Sequence, residues 1–139
     1  VFDVVAGTPA NVVLITPRLV QPGVILPMRV RVEDRWGNTC WNLGGTLQLK
    51  IVQPGHQATT YELSLPAQGW AVAKFNYQLD EPGETTVQAS LLSTNLQSDP
   101  VYITADHQFK FARAFFADLH VHSNSTVGTN STEYNFTYG

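Results

Sequence analysis

Apolar and polar residues alternate one for one along most of this chain, the pattern of β-strands that turn one face to a core and the other to water. In residues 24–33, Met28, Val30 and Val32 interleave with Arg29, Arg31 and Glu33; in residues 45–52, Leu47, Leu49 and Ile51 interleave with Gln48 and Lys50. Comparable runs cover residues 11–16, 60–65, 70–79, 85–92 and 99–104, and a shorter one at residues 1–5 predicts a terminal or edge strand. Between the runs stand Gly7-Thr8-Pro9, Gln21-Pro22-Gly23, Asp34-Arg35-Trp36-Gly37-Asn38, Pro54-Gly55 and Asp80-Glu81-Pro82-Gly83. Proline presets the first corner of a tight turn, and glycine or asparagine accepts the positive φ of the next, so each cluster predicts a reversal of the chain.

A second alternation begins after residue 104. Phe109, Phe111, Phe115, Ala117, Leu119 and Val121 occupy odd positions, with Arg113 the exception. This predicts a long extended strand over residues 106–123 whose apolar stripe needs a cover in water. Residues 124–139 are a polar tail rich in Ser, Thr, Asn and Gly.

A length of 139 residues suits one domain with a real core plus an appendage. Eight prolines, ten glycines and many β-branched residues without a helical period favour an all-β class. Short strands at regular spacing make the expected fold an immunoglobulin-like sandwich of about seven strands over residues 1–105. Charge is sparse and the net formal charge is −3, which leaves no electrostatic footprint for nucleic acid or an anionic membrane. No apolar run is long enough for membrane insertion. The single cysteine, Cys40, excludes an intrachain disulfide framework; with no histidine near it in sequence it reads as a small buried side chain.

The run ending in Asp34-Arg35-Trp36-Gly37-Asn38 and the stretch Glu81-Pro82-Gly83-Glu84-Thr85-Thr86-Val87 resemble bacterial surface Ig-like repeats. The cysteine pair and core-tryptophan spacing of antibody domains are absent, so Trp36, Trp41 and Trp70 read as core or rim packing, with carbohydrate stacking as the minority alternative.

Asp118-Leu119-His120-Val121-His122-Ser123 resembles the opening motif of the PHP-type metallohydrolases, in which His-x-His ends the first barrel strand. The following Asn124-Ser125-Thr126-Val127-Gly128-Thr129-Asn130 is similar to a secreted branch of PHP-like proteins. The resemblance implies metal binding by His120 and His122 with Asp118 beside them, and residues two apart on a strand do share a face. A hydrolytic site needs further ligands and an open position for water, which the family draws from later barrel strands outside this sequence. His56 and His107 are the remaining histidines, and their spacing assigns them no role. A solvated or hydrogen-bonded histidine pair therefore outweighs catalysis, and no cofactor is expected beyond a weak divalent-metal site.

Asn124-Ser125-Thr126, Asn130-Ser131-Thr132 and Asn135-Phe136-Thr137 each fit the acceptor rule for N-linked glycan, clustered in one short segment. Glycans at Asn124, Asn130 and Asn135 would require secretion and solvent exposure. Three functions follow in order of expectation. The first is a non-catalytic extracellular or cell-surface module that self-assembles by strand addition between copies, with the stripe from Phe109 to Val121 as the exchanged strand. The second is the accessory domain and first strand of a PHP-like metal-dependent phosphoesterase. The third is a carbohydrate-binding module using exposed aromatic side chains.

Overall fold

The computed structural model describes residues 5–109, which form eight strands and no helix. They are β1 (Asn11–Ile15), β2 (Leu19–Val20), β3 (Ile25–Glu33), β4 (Thr46–Val52), β5 (Thr59–Ser64), β6 (Val72–Gln78), β7 (Gly83–Leu91) and β8 (Val101–Ala105). One sheet has the order β1-β3-β6 and the other β2-β8-β7-β4-β5. Every pairing is antiparallel except that of β2 with β8. Most connections cross between the sheets, so each sheet is assembled largely from segments distant in sequence. This is an immunoglobulin-like sandwich. Its fifth strand extends the larger sheet by pairing with β4 rather than the smaller sheet by pairing with β6.

The alternation explains the register. In β3, Leu26, Met28, Val30 and Val32 are buried; across the ladders Val30 faces Leu14 and Ala73, and Val32 faces Val12. In the larger sheet Leu47, Leu49 and Ile51 lie opposite Leu91, Ala89 and Val87, and Val87 lies opposite Val101. A slip of one residue at any of these ladders would turn a whole apolar row to water, which is why the pairing is well specified. One open side of the sandwich, between β5 and β6, is closed by an aromatic cluster. Tyr61 packs against Phe75 at 4.8 Å and Tyr77 at 5.9 Å between ring centroids, and Gln53 Nε2 donates to the Tyr77 hydroxyl at 2.7 Å. Burial, reinforced by Tyr61, pushes the Tyr77 phenol above its ordinary value.

Two features differ from the expected pattern. The pair Leu19–Val20 is a strand that its proline-flanked sequence does not announce, held by parallel pairing to Thr104 and Ala105. Glu33, expected on the wet face of β3, is buried and paired with Arg31, Nε to Oε1 at 2.5 Å. Of the run at residues 1–5, Val5 is in irregular chain and the rest lies outside the described residues.

The chain enters at one pole of the sandwich and leaves at the other. Residues 6–10 lie beside the 34–45 connection at the end of β3, where Ala10 N donates to Glu33 O at 2.8 Å. Residues 106–109 lie beside the 21–23 turn, where the Gln21 side-chain amide donates to Phe109 O.

Candidate functional site

The pole at which the chain enters is built around Asp34, a fully buried carboxylate. Its Oδ2 accepts from Gly7 N at 2.9 Å, and its Oδ1 accepts from Trp36 N and Asn38 N, both at 2.9 Å. The Asn38 side-chain amide adds a further bond to Oδ2 at 3.1 Å. An aspartate that accepts from the backbone two residues on is an Asx turn, and this one also reaches across to the incoming segment. The Gly7 amide, followed by the side chain and backbone of Asn38 and the Trp36 amide, pulls the Asp34 carboxyl down to about 2, against the opposing effect of its burial. Cys40 lies beneath the same segment, its thiol 3.7 Å from Gly7 O, and burial, with Asp34 and Glu33 adding to it, pushes that thiol up. The buried reading of Cys40 holds.

Of the two readings of the tryptophans, core or rim, the structure supports the rim. Trp36 is 68 % exposed, Trp41 53 % and Trp70 59 %, so none of the three is in the core and the rim alternative stands. They sit on connections, Trp36 and Trp41 between β3 and β4 and Trp70 before β6, where period-two patterning does not operate. Trp41 and Trp70 meet edge to face, with centroids 4.6 Å apart and planes at 84°. The backbone fixes that pair from both sides: Asn42 N donates to Gly69 O at 2.8 Å, Gly69 N to Asn42 Oδ1 at 2.7 Å, and Ala71 N to Cys40 O at 2.8 Å. Asn42 is the non-glycine residue with positive φ, at 52°, among the described residues. Asparagine is among the side chains that tolerate this region, and the surrounding bonds hold it there.

Trp70 also walls a surface groove of about 490 Å³ shared with Ala6, Asn38, Thr39 and Val72. Trp36 stands apart from it. Arg35 lies 4.4 Å over its ring, and Gly7 lies beside it, where an added Cβ would sit 3.2 Å from Trp36 Cζ3. Neither the carboxylate lock nor the groove was foreseen. The Asp-x-x-Gly-Asn turn carried the signal for the lock, because Asp at the head of such a turn is the residue whose carboxylate can reach the following amides.

The remaining predicted sites are placed as follows. His56 and His107 are both exposed at the opposite pole, in the β4–β5 turn and just after β8. Phe109 is half-buried in a turn, its amide donating to Asp106 O at 3.2 Å. The rest of the stripe (Phe111, Phe115, Ala117, Leu119 and Val121), the Asp118, His120 and His122 set and the acceptors Asn124, Asn130 and Asn135 lie outside the described residues. Among the described residues no group of three or more His, Cys, Asp or Glu side chains could hold a metal ion. No helix among them is long and apolar enough to cross a membrane.

No protein-family model matches the sequence, and no curated protein matches it. Among solved structures, the chain is similar to the CARDB domain of a Pyrococcus furiosus protein crystallised with di-metal ions, at 15 % identity and a TM-score of 0.47, covering 76 % of this chain and 95 % of that one. It is also similar to the PKD domain of an M14-like peptidase from a Thermoplasmatales archaeon, at 13 % identity and a TM-score of 0.40, covering 72 % and 97 %. A third likeness is to an engineered protein, at 17 % identity and a TM-score of 0.47; it covers 71 % of this chain and 21 % of that one.

Proposed function

We propose that this sandwich is a non-catalytic, extracellular interaction module whose working surface is the tryptophan pole. The observation that carries the reading is the exposure of Trp36, Trp41 and Trp70 together at one end. Tryptophan is on average well buried, and leaving three in water forgoes hydrophobic stabilisation that a partner can recover. The connection between β3 and β4 that carries two of them corresponds, by analogy of position alone, to a loop that variable immunoglobulin domains use for binding. Attachment of the fluorescently labelled chain to the cells and secreted matrix of its source tests the proposal. The variant with all three tryptophans changed to alanine should fold with wild-type secondary structure and lose attachment; equal attachment overturns the reading.

A second reading, self-assembly by strand addition, is favoured by the open edges of β5 and β6 and by the apolar stripe read from sequence in residues 109–121. It predicts concentration-dependent association by sedimentation, which Phe111→Ser with Phe115→Ser should abolish. Glycans at Asn124, Asn130 and Asn135 belong to the same extracellular reading, and the intact mass of native material measures them directly.

A further inference from the structure

Resting on that reading of the tryptophan pole, we infer that the groove beside Trp70, together with the exposed Trp41 and Trp70 rings, is a binding site for a neutral oligosaccharide. Sugars present C–H faces that pack on aromatic rings and hydroxyls that hydrogen-bond to amides and alcohols. This site offers both within one short span. Trp70 and Val72 are apolar walls, and Asn38 and Thr39 are neutral hydrogen-bonding groups beside them. Among the described residues the lining, Ala6, Asn38, Thr39, Trp70 and Val72, contains no ionisable side chain, which favours an uncharged ligand. Phosphate, sulfate or uronic acid would find no cation among the described lining residues. The described arginines nearest it are engaged, Arg35 over Trp36 and Arg31, across the ladder from Val72, with Glu33.

Size separates the candidate occupants. A stable protein partner buries roughly 800 Å² on each side, whereas small-ligand sites measure roughly 300–1,000 Å³. The groove, at about 490 Å³, falls in the small-ligand class and suits a few sugar rings. Its aromatic wall, Trp70, and the adjoining Trp41 are also set in advance. Trp41 and Trp70 are braced edge to face, the Asn42–Gly69 bonds join their two connections, and Asn42 is held at positive φ by them. A site held in its bound shape gives up little ordering entropy on binding, and backbone residues in sparse conformations gather at such sites. Two ring faces set at 84° form an angled rather than flat surface, which fits a bent or twisted chain of sugars better than a ribbon.

The test titrates the full chain with linear neutral oligosaccharides of glucose, xylose, mannose and N-acetylglucosamine, and with a sulfated oligosaccharide, following tryptophan emission. At least one neutral oligosaccharide should give a saturable shift with a Kd of about 10 µM to 1 mM, unchanged by salt. Trp70→Ala and Trp41→Ala should each weaken binding about tenfold or more, Trp70→Tyr should restore most of it, and His56→Ala at the opposite pole should change it less than about twofold. Silence from every neutral oligosaccharide up to about 5 mM overturns the inference, as does a Kd indifferent to Trp41 and Trp70 or a preference for the sulfated ligand that salt abolishes. If saccharides fail while the triple variant still loses attachment to cells or matrix, the pole docks a different partner. If the triple variant attaches like the wild type, the docking reading falls with the saccharide.

Discussion

The two poles of the sandwich are made differently from similar turn-forming residues. At the pole where the described chain leaves, the connections are short reversals: the 53–58 turn, the 79–82 turn, and Gly83 at a φ of 141° packed beside Pro54. Asp80 there is exposed and accepts from the Gln78 side-chain amide at 2.6 Å. At the tryptophan pole the 34–45 connection is long, and its aspartate is buried and binds amides on three separate residues. Turn chemistry closes one end, whereas a polar lock holds apolar side chains out in solvent at the other. The same residue type, aspartate, is incidental in one place and organising in the other, and burial decides which.

The comparison breaks most visibly at Asp34. Asp34→Asn replaces an acceptor oxygen with an amide that faces other donors, so its denaturation midpoint should fall further than that of any other single substitution below, with faster hydrogen exchange at Gly7 N and faster alkylation of Cys40. Asp80→Asn should stay within about 0.5 kcal/mol of wild type; similar losses from both would dissolve the distinction. Gly83→Ala comes next. Its φ and the 3.0 Å approach to Pro54 Cγ predict a loss of roughly 1–3 kcal/mol in urea unfolding at the otherwise simpler pole.

Acid titration is a milder probe. The Asp34 carboxyl has its ordinary value of 3.8 when unfolded and about 2 when folded, so its contribution is complete above pH 4 and erodes as pH falls from about 4 toward about 2. Thermal melts from pH 5 to pH 2 should show wild type falling toward the Asp34→Asn variant, whose own slope is shallower. A wild type and variant that fall in parallel would remove Asp34 from the explanation. Among the substitutions expected to destabilise, the smallest effect is that of Trp70→Ala, about 1 kcal/mol or less, because it gives up little beyond its edge-to-face contact with Trp41. A much larger loss would mean that the ring supports the fold rather than a ligand.

Strands were legible in the sequence because burial on one face writes itself as period two. Leu47, Leu49 and Ile51, or Met28, Val30 and Val32, need no other information, and their predicted runs match β4 and β3 to within a residue at each end. Leu19–Val20 was not legible, since two residues make no period and their partners Thr104 and Ala105 are remote in sequence. Positive φ was expected for asparagine at the Asp34 turn; Gly37 adopts it at 85°, whereas the asparagine that does so is Asn42, beside Trp41. Whether the tryptophans were core or rim could not be decided from the sequence for a related reason. Hydrophobicity predicts burial only where a periodic pattern states which way a side chain points, and connections have no such pattern. The groove combines Ala6, Asn38 and Thr39 with Trp70 and Val72, and only the paired strands bring those segments together.

The opposite placement of the two ends of the described chain has a mechanical meaning. Tension carried between residues 10 and 105 runs along the strands rather than across them. It loads the β2–β8 ladder lengthwise, together with the flanking bonds from Thr104 N to Arg18 O at 2.8 Å and from Asp106 N to Val20 O at 3.0 Å. It also loads the longer β1–β3 ladder, which the chain enters first, and bonds sheared in this way resist in parallel and fail together instead of unzipping one by one.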